Sequence, residues 1–218
     1  MKQGPCPFKN IGKVYQPLLL ITAMRPEAEA LLKSCAAALI KQSGKLRLYR
    51  FPPQNVYLLQ TGMGPLPEEF AGQLLRGLRP GSIINFGICG ALDSRLKPLD
   101  AYLIKSVRSP ESPFIPVKYP FSFPEKGCFK NAALLTVPEP VVSRAKRQAL
   151  WQTYNCPLVD MEAFQILKWG KKQEIPVFII KIVSDLADEK AVEQVKNSIP
   201  LLQSALRQAV ISLVEHLV

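Results

Sequence analysis

Three consecutive stretches decide the fold: Leu158-Val159-Asp160-Met161-Glu162-Ala163-Phe164, then Pro176-Val177-Phe178-Ile179-Ile180-Lys181-Ile182-Val183, then Ser184-Asp185-Leu186-Ala187-Asp188. The middle stretch is of strand length, nearly all apolar and rich in β-branched residues. It reads as a strand buried on both faces, the kind found in parallel sheets. On either side of it a carboxylate stands next to an apolar element. Burying a carboxylate there is costly unless it is paired, hydrogen-bonded or used. Glu162 and Asp185 therefore read as two walls of one pocket.

Upstream, residues 17–23 (PLLLITA) form a second short apolar run, again of buried-strand type. Pro26 and the acids Glu27 and Glu29 then suit the first turn of a helix, which the pattern extends to about residue 41. On residue type alone, Glu27 reads as a surface glutamate favoured by the helix dipole. Residues 45–51 and 55–60 read as a hairpin around Pro52-Pro53-Gln54. Its second arm enters Thr61-Gly62-Met63-Gly64-Pro65, ahead of an expected helix over 67–78. A Gly-x-Gly turn there fits close approach of a ligand to the backbone, or a plain strand-to-helix connection.

The strand over 81–86 is expected to end in a second glycine-rich turn, Gly87-Ile88-Cys89-Gly90-Ala91-Leu92. In open α/β sheets ligands sit at such strand ends. A strand over 100–107 precedes residues 109–130, which interleave prolines with Phe114, Tyr119, Phe121 and Phe123. So long an irregular segment reads as a lid or as a subunit interface. A strand over 132–137, a helix over 140–151 with a basic outer side and a helix to about 172 follow. The last helix spans 191–217, with Pro200 kinking or dividing it. Strands alternating with helices predict one α/β domain over 17–218, preceded by an extension over 1–16.

Composition narrows the function. The 218 residues carry a formal charge of +11, but lysines and arginines are scattered, without a dense tract or interleaved aromatics. That predicts a solvated, anion-attracting surface rather than a nucleic-acid partner. No apolar run approaches the ~18 residues of a membrane span, and the lead lacks a cleavage-like pattern, so a cytoplasmic protein with no membrane partner is expected. The five cysteines are odd in number, widely spaced and free of CxxC pairs, which predicts reduced thiols rather than a disulfide framework. The single histidine, His216, lies at the end of the last helix. Imidazole-based triads and most zinc sites are thereby excluded. Catalysis has to rest on carboxylates, lysines or the backbone.

The segments LLITAMRPEAEALL, LLQTGMG, INFGICGAL, VDMEAF and FIIKIVSDLADE resemble, in order and spacing, the nucleoside phosphorylase/nucleosidase superfamily. The chain is most similar to its hydrolase branch of methylthioadenosine/S-adenosylhomocysteine nucleosidases and futalosine hydrolases. The resemblance implies a three-layer α/β/α sandwich around a mixed, partly barrel-like sheet, a homodimer, and a reaction that needs no metal and no organic cofactor, in keeping with the single histidine. It implies that Asp185 is the general acid on the purine, steadied by Ser184. Glu162 then binds ribose hydroxyls with Met161 packing on the sugar, and Glu27 activates water. Ala23, Met24 and Met63 line the sugar and 5′ side, and Cys89 and Gly90 the base. Lys181 stands where such hydrolases carry an arginine, and so joins the substrate-binding set. Ile88 and Asn85 occupy positions where phosphorolytic relatives hold phosphate with serine and arginine. That implies hydrolysis of methylthioadenosine, S-adenosylhomocysteine or futalosine. Phosphorolysis with Lys181 holding the anion, and a non-catalytic nucleoside-binding protein, are the alternatives.

Overall fold

A computed structural model describes residues 8, 14–33, 35–52, 54–72, 74–119 and 129–217. In chain order the elements are β1 (Leu18–Thr22), α1 (Arg25–Leu32), β2 (Ala38–Ser43), β3 (Leu46–Phe51), β4 (Val56–Gln60), β5 (Ser82–Ala91) and β6 (Ala101–Ser109). There follow β7 (Ser112–Pro116), β8 (Lys130–Thr136), α2 (Arg144–Tyr154), β9 (Leu158–Asp160), α3 (Ala163–Lys172), β10 (Val177–Asp185) and α4 (Ala191–Leu217).

All ten strands join one mixed sheet. β5 pairs in parallel with β1 and with β10, and antiparallel with β9. β10 pairs antiparallel with β6, β6 in parallel with β8, and β8 in parallel with β9. Strands β5, β10, β6, β8 and β9 thus close into a barrel-like ring, and β1, β4, β3 and β2 extend from it as an open wing. Closure brings the C-terminal ends of β1, β5 and β10 to one edge.

Alternation along the central strands divides the core. Leu19 and Ile21 of β1 and Val177, Ile179 and Val183 of β10 face one side, with Phe164, Ile166, Leu167 and Trp169 of α3. Leu18 and Leu20, with Phe178, Ile180 and Ile182, face the other, against Leu31 of α1 and Leu202, Leu206, Val210 and Leu213 of α4. Each such side chain contributes roughly 1.5–3 kcal/mol on burial. The result is the expected three-layer sandwich around a partly closed sheet.

Several expectations for the elements need correction. The first helix ends at Leu32 rather than near residue 41, because residues 38–43 pair with β3 as an exposed edge strand. Tertiary pairing overrides the helix propensity of Ala38 and Leu39. Residues 67–78 form successive turns among the described residues, such as Phe70 N–H to Pro67 O and Gly72 N–H to Glu69 O, in place of a helix. Pro67, Gly72 and Gly77 all weaken helix here. Residues 87–91, expected as a turn, continue β5, since β10 and β9 pair along them. Part of the expected lid is strand β7, hydrogen-bonded to β6; residues 120–128 lie outside the described set. Pro200 sits inside a continuous α4. Cys35 is disulfide-bonded, contrary to the reduced state expected for all five cysteines, whereas Cys89 and Cys156 are buried free thiols.

Candidate active site

A cavity of about 460 Å³ opens at the shared strand edge. Of the residues singled out in the sequence, Ala23, Met24, Glu27, Met63, Cys89, Gly90, Met161, Glu162, Ser184 and Asp185 all line it. Lys181 is not among the lining residues. It is 2% exposed on β10, and its Nζ is 2.8 Å from Asp160 Oδ2. A larger cavity of about 740 Å³ and another of about 520 Å³ flank α3 and hold none of these side chains.

Glu27 is a buried acceptor, not the surface residue that its position in the helix suggests. Its Oε2 accepts from Thr22 Oγ1 and Met24 N–H, both at 2.7 Å, and its Oε1 from Ile88 N–H at 2.8 Å. A carboxylate offers about four acceptor positions, so one on Oε1 is left for a water or a ligand. Gly87 makes the arrangement possible: a Cβ there would stand 2.7 Å from Glu27 Oε1.

Glu162 lies at the start of α3 and accepts from Gly64 N–H at 2.8 Å, so the Gly62-Met63-Gly64 turn does approach a site carboxylate. Burial and the neighbouring Asp160 charge push its carboxyl up to about 8, against the opposing pull of Lys181 and the Gly64 amide. Beneath it, Asp160 ties three elements together. Its Oδ1 accepts from Thr136 Oγ1 at 2.6 Å on β8, and its Oδ2 from Ala163 N–H at 3.0 Å on α3 and from Lys181 on β10. Burial pulls the Lys181 ammonium down, but Asp160 and Glu162 outweigh it and hold it above the ordinary lysine range.

Asp185 ends β10 beside a bulge against Gly90. Its Oδ1 accepts from Ala187 N–H at 2.7 Å. Ser184 Oγ lies 2.5 Å from Asp185 Oδ2 and 3.1 Å from the Cys89 carbonyl. One hydroxyl hydrogen serves one acceptor at a time. When Ser184 donates to the carboxylate, Asp185 is ionised; when Ser184 turns to Cys89 O, the short contact is made by a proton on Asp185. Both protonation states therefore have a partner. Burial raises Asp185 above the usual carboxylate range, and Asp188 adds to the rise, while the Ser184 and Ala187 hydrogen bonds oppose it. Burial also pushes the Cys89 thiol well above its ordinary range, which leaves it inert as a nucleophile and suits it as a wall.

Residues 17–215 match the family model described as the phosphorylase superfamily. The chain belongs to that superfamily. A 5′-methylthioadenosine/S-adenosylhomocysteine nucleosidase of Buchnera aphidicola is 26% identical over 91% of this chain and 97% of its own length. Among solved structures, a Helicobacter pylori methylthioadenosine nucleosidase variant with 5′-methylthioadenosine in its active site superposes with a TM-score of 0.80. It is 16% identical, over 93% of this chain and 100% of that one. The futalosine hydrolase of the same organism gives 0.75 at 15% identity, over 92% and 98%. At these identities the structural likenesses establish the fold, including the ring of strands.

Superfamily membership accounts for the shared layout, while two features of the site went unread in the sequence. Asp160 was legible only as an acid in an apolar strand, with no partner in view. Arg147 falls in the helix expected to have a basic outer side, yet it is the one buried residue of α2. The available signal was its spacing from Leu150, Trp151 and Tyr154, all partly buried against the core, at i+3, i+4 and i+7.

Proposed function

We propose that this member of the superfamily hydrolyses the N-glycosidic bond of a purine nucleoside of the methylthioadenosine, S-adenosylhomocysteine or futalosine type. The observation that carries the reading is that Asp185, Glu162 and Glu27 share one cavity while each is held by different donors. Asp185 delivers its proton to the purine as the bond to the sugar breaks, so the base departs neutral. The oxocarbenium-like sugar that remains faces the carboxylate of Glu27 and the carboxyl of Glu162, which ionises as pH passes about 8. Glu162 also accepts from ribose hydroxyls. Glu27, with its open acceptor position, takes the proton of the attacking water, whose oxygen bonds to the anomeric carbon.

Water is favoured over phosphate by the charges in the cavity. Among the described lining residues the cations reduce to Lys196, while Lys181 is neutralised by Asp160. The mostly apolar walls, including Met24, Met63, Met161 and Val141, suit a thioether or aromatic 5′ group. A homodimer follows from the resemblance, and light scattering tests it.

The test is a panel of 5′-methylthioadenosine, S-adenosylhomocysteine and futalosine, each incubated with the protein and followed chromatographically for free base. Release from at least one supports the proposal. Binding without release from any of the three contradicts it.

A further inference from the structure

The acid closes β10, and the loop that follows it is held by a side chain with no place in the cavity. α2 presents Arg147, Leu150, Trp151 and Tyr154 along one stripe, and the apolar three pack against a cluster that includes Ala187. An arginine at a core position is costly unless its guanidinium is fully used. Arg147 is 7% exposed, and its NH1 donates to the Leu186 carbonyl at 2.8 Å and lies 3.7 Å from Asp188 Oδ2. The same loop is bound to α2 a second time, where Arg144 N–H donates to Glu189 Oε1 at 3.0 Å. Between these anchors Ala187 has φ +50°, a left-handed conformation that a residue with a Cβ adopts only under strain. That conformation aims Ala187 N–H at Asp185 Oδ1.

The geometry points to Arg147 as a positioning residue: from outside the cavity it holds the 186–188 loop in the strained form that fixes the carboxyl of Asp185. The kinetic part of this inference rests on the hydrolase reading above; the conformational part does not. The ionisable groups that line the cavity with Asp185 are Cys89 on β5, Glu27, Glu139, Asp160, Glu162 and Lys196 on α4, and Asp188, backed by Arg147, follows on the same loop. Of these, Asp188 is the neighbour that raises the proton affinity of Asp185, and Arg147 is its partner. Arg147 therefore fixes both where the acid points and where its charged neighbour sits.

The test uses the full chain and, as probe, whichever of 5′-methylthioadenosine, S-adenosylhomocysteine and futalosine the wild type cleaves fastest. Arg147→Met is expected to lower kcat about 30-fold, the scale of a sub-ångström misplacement, with KM changed less than about threefold because the sugar wall at Glu162 is untouched. Arg147→Lys should recover part of the loss. Asp188→Asn should shift the alkaline limb of the pH–rate profile to lower pH, which a purely scaffolding role for the pair would not do. Independently of turnover, amide hydrogen exchange across residues 184–191 should speed at least about tenfold in Arg147→Met while β1 exchanges as before. An unchanged kcat, an unmoved limb or unchanged exchange overturns the inference. Should the wild type release no base, the hydrolase reading fails and the exchange comparison alone decides the role of Arg147. Should Arg147→Met exchange fast throughout, Arg147→Lys replaces it in that comparison and the same two outcomes apply.

Discussion

Glu162 is where pH acts on the folded chain most directly. With its carboxyl near 8 in the native state, against 4.5 for an ordinary glutamate, it keeps a proton that the unfolded chain has already lost. The native state then binds more protons, so stability falls as pH rises from about 4.5 and levels off above about 8. Glu162→Gln removes this dependence. In denaturant titrations the variant should gain on the wild type by a few kcal/mol between about pH 5 and 8; parallel curves would contradict the assignment. For Asp185 the sign is likewise fixed. The acid works protonated, so kcat/KM should fall as pH rises through its raised value, and a profile without an alkaline limb would contradict the role. These two acids were legible in the sequence because a carboxylate beside an apolar run demands an explanation. Glu27 was not, since its burial depends on Gly87, a neighbour far away along the chain.

At the scale of elements, the interior pair Asp160–Lys181 joins β8, α3 and β10 directly beneath the cavity. Removing one partner leaves the other charge buried and uncompensated. Lys181→Met is expected to cost roughly 3–5 kcal/mol, and adding Asp160→Asn should return much of it. Denaturant unfolding of the two single variants and the double variant measures the coupling; simple additivity would contradict a direct pair. The same scale explains what the sequence concealed. Strand β5 runs through its glycines because two partners pair with it there. Gly90 leaves room for Asp185 Oδ1, 3.3 Å from where a Cβ would stand. Residues 38–43 are strand only because β3 offers them an edge. Such pairings are set by the assembled sheet, so local periodicity reads strand existence well and strand ends poorly. β10 and α4, whose patterns are long and unambiguous, match their expected spans closely.

For the whole molecule, ring closure is the step that turns separate motifs into a site. Pairing of β5 with both β1 and β10 places residues from the first and last thirds of the chain around one opening. The net charge of +11 is spread over the surface, while among the described residues that line the cavity the one cation is Lys196. That contrast fits a cationic transition state and disfavours an anionic nucleophile, so added phosphate should leave turnover unchanged. The most direct measurement follows, in phosphate-free buffer, whichever of 5′-methylthioadenosine, S-adenosylhomocysteine and futalosine the wild type cleaves fastest, with wild type and Asp185→Asn side by side. The account predicts free base from the wild type at the same rate as with phosphate, and at least about 10³-fold less from the variant, which still binds a nucleoside analogue. Base release that requires phosphate, or a variant that turns over like the wild type, would contradict it.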